Sequence, residues 1–142
     1  MLTDESPPQA QILMMSGTFS APSSVTVTIK PVKPPLAPPS GTVTASNVYQ
    51  ITASAGGREL QPNSQDPATI VLRGSGASAM LVLYFDSGSG WQALRTFNVG
   101  CGYSFEAVSP RLGYFALFQS GGSSTGSGGF PAAIVVAILG VL

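Results

Sequence analysis

The sequence predicts an all-β protein: an antiparallel β-sandwich of about eight strands, then a Gly/Ser linker and a hydrophobic, helical C-terminal segment. Short runs of β-branched and aromatic residues alternate with turn residues roughly every 8–12 positions, and no segment has a convincing helical period. Despite 17 glycines and 12 prolines, 44% of the residues are hydrophobic, which argues against a disordered chain. The 142 residues leave room for one domain and a tail.

The N-terminal part supplies three of these strands after a polar extension, residues 1–10, that lacks the basic and apolar regions of a signal peptide. Residues 11–15 are a short apolar run, and residues 25–29 (VTVTI) alternate in the manner of a strand. Residues 30–39 are rich in proline, which cannot donate to a central ladder, so they indicate an extended crossing or a sheet edge. Residues 43–53 form the third strand.

Five more strands follow in the second half of the domain, which we place at residues 11–119. The first two are apolar enough to lie in the centre of a sheet, and the turn DSGSG joins the second to the third. The five strands are residues 68–73, 79–85, 91–97, 103–107 and 112–118.

The C-terminal tail changes composition abruptly. Residues 120–129 contain only Ser, Gly and Thr and indicate a flexible linker, whereas residues 130–142 are apolar throughout. A helix of that length rises about 20 Å, and a bilayer core of about 30 Å needs roughly 20 residues. Three interpretations stay open: the natural chain continues, the tail inserts partway or lies in a groove of a membrane-embedded partner, or it packs on its own domain.

A linker separates two bodies, so it favours membrane attachment over packing on the domain. The predicted membrane residues are Phe130, Pro131, Ile134, Val135, Ile138, Leu139 and Leu142.

Composition excludes several function classes. Six Lys/Arg balance six Asp/Glu, so no basic field exists to bind nucleic acid. The absence of histidine removes Ser-His-Asp and Cys-His catalysis, and one cysteine, Cys101, allows no internal disulfide. Glu59 and Glu106 have no recognisable spacing for a glycosidase pair, and Asp66 and Asp86 lie among turn-forming residues. We predict no catalytic residue, cofactor or metal.

Several sequence motifs occur along the chain in an order that is characteristic of one domain family. They are SVTVTIKPV at 24–32, VYQITA at 48–53, ATIVLR at 68–73, LYF at 83–85 with WQAL at 91–94, and LGYFALF at 112–118. In this order, residues 11–118 resemble the ZU5-like β-sandwich domains of bacterial extracellular and membrane-anchored proteins. The first element keeps the family's glycine, as Gly17, and lacks its proline.

The resemblance implies a non-catalytic structural or interaction module close to a membrane anchor, on the extracytoplasmic side (periplasmic or cell-surface). Some members of the family cleave themselves at His-Phe-Ser. This chain has no histidine, so we predict no self-cleavage.

The leading functional prediction is therefore an accessory subunit that docks on a membrane complex, with membrane lipid and integral membrane subunits as partners. The alternatives are a stalk or adhesion-type surface protein and a carbohydrate-binding module. The candidate ligand or partner contacts are Trp91, Tyr84, Tyr103 and Tyr114. An exposed planar cluster of these rings would favour carbohydrate binding, and their burial would favour the structural role.

Overall fold

Two antiparallel sheets make up the fold in the computed structural model, which describes residues 1–2, 9–20, 24–74, 80–99 and 103–120. The predicted all-β class is confirmed, because these residues contain strands and no helix. The strands are β1 (Ala10–Leu13), β2 (Thr26–Val32), β3 (Thr42–Thr44), β4 (Val48–Ala55), β5 (Arg58–Leu60), β6 (Ala68–Arg73), β7 (Met80–Asp86), β8 (Gly90–Ala93), β9 (Thr96–Val99), β10 (Ser104–Ser109) and β11 (Tyr114–Ser120).

The core lies between the two sheets. One sheet has the order β1-β6-β10-β9; the other has the order β2-β4-β11-β7-β8, with β3 beside β11 and β5 beside β4. Alternate residues of the central strands point into the same cluster, for example Ile70 and Leu72 of β6 and Ile51 of β4, all fully buried. The period of two seen in the sequence therefore separates an inner from an outer face in both sheets.

The chain forms more strands than the eight predicted, because two predicted strands are interrupted and β5 is too short to stand out in the sequence. The first interruption separates β3 from β4, which both pair with β11. Thr44 and Gln50 are six positions apart, whereas their partners on β11, Phe118 and Tyr114, are four positions apart. The break therefore contains two extra residues. The hydroxyl Oγ of Ser46 accepts a hydrogen bond from the backbone N–H of Leu117 at 2.9 Å, so this buried donor keeps a partner across the break.

The second interruption carries the chain from one sheet to the other. Residues 91–97, predicted as one strand, leave β8 in the larger sheet and enter β9 in the smaller one. At the corner, Leu94 N donates to Val82 O, and Val82 N donates to the Thr96 hydroxyl, each at 2.9 Å. The Thr96 hydroxyl in turn donates to Leu94 O at 2.9 Å, so the turn satisfies its own backbone groups.

Two edge strands, β2 and β1, have features that limit pairing with another strand. β2 is an edge strand of the larger sheet and includes Pro31, as the sequence predicts for a proline-rich edge. At the edge strand β1, Ile12 N donates to Met1 O at 2.8 Å.

No helix in the described residues is long and apolar enough to cross a membrane. Ser120 is the last residue of β11, and the rest of the predicted linker lies outside the described residues. The predicted membrane segment 130–142 and Cys101 lie outside them as well.

Candidate functional site

The four aromatic residues singled out in the sequence do not come together. Trp91 and Tyr114 contribute to a small cluster on the outer face of the larger sheet, whereas Tyr84 packs against the main core. Tyr103 is 49% exposed, and the guanidinium of Arg73 lies 5.9 Å from the centre of its ring. The described residues therefore contain no planar platform made of these four rings.

The outer face of the larger sheet instead carries an aromatic cluster on three neighbouring strands. Phe85 on β7 faces its cross-strand partners Trp91 on β8 and Tyr114 on β11, with ring centres 5.4 and 6.0 Å apart. Trp91 also meets Phe118 edge to face at 4.9 Å. We call Phe85, Trp91, Tyr114 and Phe118 the aromatic face. Edge-to-face contacts of this kind add to the energy of apolar burial.

The proline-rich segment reaches this face. Residues 33–39, which we call the proline strap, connect β2 to β3. The indole N–H of Trp91 donates a hydrogen bond to the carbonyl oxygen of Leu36 at 3.2 Å. Trp91 is only 9% exposed. The crossing predicted from the prolines thus partners the tryptophan, a pairing that the sequence pattern alone did not suggest.

Gly90, beside Trp91, is required by its backbone conformation, because its φ of +77° is in the left-handed region. The strap lies close to it, since a Cβ atom there would be in ordinary contact, 3.5 Å from Cδ2 of Leu36. At the end of the strap, the carbonyl of Pro39 accepts hydrogen bonds from the backbone N–H and the hydroxyl of Thr42, at 3.1 and 2.7 Å.

A cleft of about 210 Å³ opens beside Tyr84, between the β7–β8 and β10–β11 turns. Its polar lining includes Asp86, Gln92 and Arg111, and Leu94 contributes an apolar wall. Burial raises the pKa of the Tyr84 phenol; the charge of Arg111 and its hydrogen bond to the phenol oppose this shift, and Asp86 adds to it. Asp86, which the sequence places among turn-forming residues, forms an Asx turn, because its Oδ1 accepts a hydrogen bond from Gly88 N at 3.0 Å.

The outer face of the smaller sheet carries several exposed apolar side chains, with Thr69 and Glu106 between them. Leu13, Phe97 and Val108 point outward, with 51%, 47% and 42% of their surface exposed. Val71 lies among them, in the same cross-strand row as Glu106 and Phe97. We call Leu13, Val71, Phe97 and Val108 the apolar face.

Sequence analysis did not single out the residues of the apolar face. The sequence did contain one indication of this face. In the strand ATIVLR, apolar residues occur both at the inward-facing and at the outward-facing positions. Such a strand is expected to be covered on both sides.

Acidic residues are dispersed. Glu59 belongs to β5 in the larger sheet and Glu106 to β10 in the smaller one, so they do not form a pair on a common strand or sheet. Among the residues that the structure describes, no three Cys, Asp or Glu side chains group as metal ligands.

No protein-family model, curated protein or solved structure matches the chain. The resemblance to ZU5-like domains accordingly stays a prediction from the motifs.

Proposed function

We propose that this protein is a non-catalytic interaction module that docks on a membrane complex as an accessory subunit. The β-sandwich binds an integral membrane subunit through the apolar face, and residues 130–142 hold the chain at the lipid. The domain lies on the extracytoplasmic side, as the resemblance to ZU5-like domains implies.

The exposed apolar face carries this proposal. A sheet whose outer side faces water normally alternates apolar and polar residues, so that its outer residues are polar. Three residues of one sheet break that pattern: Leu13 on β1, Val108 on β10 and Phe97 on the adjacent strand β9. Exposed apolar side chains gathered on one face of a sheet are typical of interaction sites in folded proteins.

The charge content points the same way. Only 8% of the residues are charged, whereas a freely solvated domain usually carries a much more charged surface. On the smaller sheet, Arg73 and Glu106 are half-buried, and the guanidinium of Arg95 lies 5.2 Å from the ring centre of Phe97. A face with few charges costs little to desolvate when a partner covers it.

The positions of the aromatic residues favour this role over a carbohydrate platform. Trp91 is 9% exposed and its indole N–H is bonded to Leu36, and Tyr114 packs edge to face on Phe85. The buried indole presents no open face on which a sugar could stack. The cleft beside Tyr84 favours a second candidate function, the binding of a small polar ligand between Asp86 and Arg111.

A charge placed in the apolar face tests the proposal. Val108 is the last outward-facing residue of β10 and is 42% exposed, so Val108→Glu should leave the core intact. We expect the full chain carrying Val108→Glu to lose co-purification with its membrane partner. The control is Thr28→Glu, which adds the same charge at an exposed position of the other sheet.

The readout is the amount of partner recovered with each tagged chain from detergent-solubilised native membranes. Circular dichroism of both variants establishes that they are folded. Equal recovery with Val108→Glu and with the wild-type chain would contradict docking through this face.

A further inference from the structure

We propose that the cleft beside Tyr84 binds a free amino acid in its zwitterionic form, with an aliphatic side chain. Arg111 binds the carboxylate, Asp86 binds the ammonium group, and Leu94 contacts the side chain of the ligand. The inference rests on the second candidate function, the binding of a small polar ligand in this cleft, and it names the chemical class of that ligand. It does not depend on docking through the apolar face.

The inward-facing positions of β7 change from apolar to charged as the strand approaches the cleft. Val82 is fully buried in the core, Tyr84 is partly buried and packs against the core, and Asp86 is half-buried at the end of the strand. On β8, Gln92 is the cross-strand partner of Tyr84 and lines the same cleft. The inner face of a sandwich normally supplies the apolar core. At this end, the space between the strands therefore opens into a cleft with polar walls.

Two opposite charges line this cleft without neutralising each other. Neither Arg111 nor Asp86 takes part in an ion pair in the described part of the chain. The guanidinium of Arg111 donates to the Tyr84 hydroxyl, and four of its five N–H donors stay available. Asp86 accepts from Gly88 N through Oδ1, which leaves Oδ2 available. A ligand with both a carboxylate and an ammonium group matches the two charges through charge-assisted hydrogen bonds.

The size and the apolar walls of the cleft restrict the ligand further. Its volume is about 210 Å³, whereas pockets for drug-sized ligands measure about 300–1,000 Å³, so it suits a smaller molecule. Leu94 and Pro110 give it apolar walls beside the charged groups. A molecule that carries an aliphatic side chain next to its two charges fills both parts of the cleft. Leucine has this composition.

Hydrogen bonds hold the turn that carries Arg111. The hydroxyl of Ser109 donates to Arg111 O at 2.6 Å and accepts from Arg111 N at 3.3 Å. The next residue, Leu112, donates its N–H to Oε1 of Gln61 at 2.6 Å. Walls held in this way need little ordering when a ligand binds, and this favours affinity for a small molecule.

Titration of the isotope-labelled full chain in neutral detergent, followed by the amide chemical shifts in nuclear magnetic resonance spectra, tests the proposal. The probes are leucine and three analogues that each lack one feature: isocaproate has no ammonium group, isoamylamine has no carboxylate, and glycine has no side chain. We expect leucine to bind with a dissociation constant of roughly 0.1–1 mM, with shifts in the β7–β8 and β10–β11 turns. Each analogue should bind roughly tenfold more weakly.

Two variants assign each charge to its part of the ligand. Asp86→Asn keeps an oxygen that can accept from Gly88 N and removes the negative charge. It should weaken leucine binding roughly tenfold and should not weaken the binding of isocaproate, which has no ammonium group. Arg111→Gln should weaken leucine binding roughly tenfold and should not weaken the binding of isoamylamine, which has no carboxylate.

The control variants are Glu59→Gln and Arg58→Gln, which remove the same charges at exposed positions of β5. Both positions lie outside the lining of the cleft, so leucine binding should stay unchanged. The dispersion of the amide spectrum establishes that each variant is folded. The comparison of leucine with its three analogues needs only the wild-type chain, so it decides the question even if a variant does not fold.

Three results would overturn the proposal: no saturable shift at leucine concentrations tenfold above the expected range, shifts confined to residues outside the cleft, and leucine binding that the folded Asp86→Asn or Arg111→Gln chain retains in full. Equal binding of leucine and a singly charged analogue would overturn the zwitterion while leaving a small polar ligand in the cleft. Binding of none of the four compounds would overturn the second candidate function too. Docking through the apolar face is decided separately, by the recovery of the membrane partner with Val108→Glu.

Discussion

Single hydroxyl groups hold this fold together at the places where its strands break. Ser46 bridges the interruption between β3 and β4 through Leu117 N, and Thr96 closes the corner between β8 and β9 through Val82 N. Each hydroxyl oxygen accepts a hydrogen bond from a backbone N–H group that would otherwise have no partner. A buried donor without a partner costs more than the hydrogen bond itself contributes, so these two residues matter beyond their size.

Ser46→Ala is predicted to lower the free energy of unfolding by about 1–3 kcal/mol, because Leu117 N loses its acceptor. Urea unfolding followed by circular dichroism measures this change. The matched control is Ser40→Ala, which removes a hydroxyl from an exposed position. Equal stability of the two variants would show that the Ser46 hydroxyl does not support the break.

The phenol of Tyr84 makes the free energy of unfolding depend on pH in the alkaline range. Burial raises the pKa of its phenol above the ordinary value of about 10, so the folded chain holds the proton more tightly than the unfolded chain. The resulting stabilisation is fully present below about pH 10 and is lost as the pH rises through the raised pKa. Tyr84→Phe should therefore show a smaller loss of unfolding free energy between pH 9 and 11 than the wild-type chain, measured by urea unfolding. An identical loss in both chains would contradict this assignment.

Close packing at the end of β6 leaves no room for a side chain at Gly74. A Cβ atom on Gly74 would lie 2.8 Å from Sδ of Met80, 3.0 Å from Cδ1 of Leu117 and 3.2 Å from Cε2 of Phe105. Each distance is shorter than an ordinary van der Waals contact. The strands that carry these three side chains belong to both sheets, so the glycine lets the sheets approach each other at this end.

Gly74→Ala is predicted to destabilise the domain by about 1–3 kcal/mol, because the three neighbours must move. The control is Gly88→Ala in the exposed β7–β8 turn, where a Cβ atom would lie 3.7 Å from Oδ1 of Asp86. Thermal unfolding of both variants gives the comparison. If Gly74→Ala melts no lower than Gly88→Ala, the contact between the sheets at this end is looser than described.

Element by element, the sequence is most informative where its period is regular. β6 has the predicted bounds, residues 68–73, because its residues alternate without interruption. The breaks at Ser46 and Leu94 were not predicted, because they depend on hydrogen bonds to β11 and β7, strands distant in the chain. The sequence named Trp91 as a candidate contact and left its burial open; its partner Leu36 lies 55 residues away, beyond the reach of local patterns.

At the scale of the whole molecule, the outer faces of the two sheets differ. Trp91 on the larger sheet is buried and donates its indole N–H to the proline strap, whereas Leu13, Phe97 and Val108 on the smaller sheet are exposed. The first arrangement satisfies the indole N–H within the chain. The second suits a lasting contact with an apolar partner, which is why we place the docking surface on the smaller sheet.

Removal of residues 121–142 is predicted to leave the domain folded, because the described residues between Ala10 and Phe118 already form a closely packed core. We expect the shortened chain to melt within a few degrees of the full chain and to leave the membrane fraction. Differential scanning calorimetry and membrane sedimentation measure the two effects. A large drop in melting temperature would show that the tail packs on the domain, and retention in the membrane fraction would show that the tail is not the anchor.

The most direct test of the accessory-subunit proposal is the gentle detergent solubilisation of native membranes, followed by native electrophoresis and mass spectrometry. We predict that the chain co-migrates with a defined multi-subunit membrane complex at a fixed stoichiometry. Migration of the chain alone, with no integral membrane subunit beside it, would contradict docking as an accessory subunit.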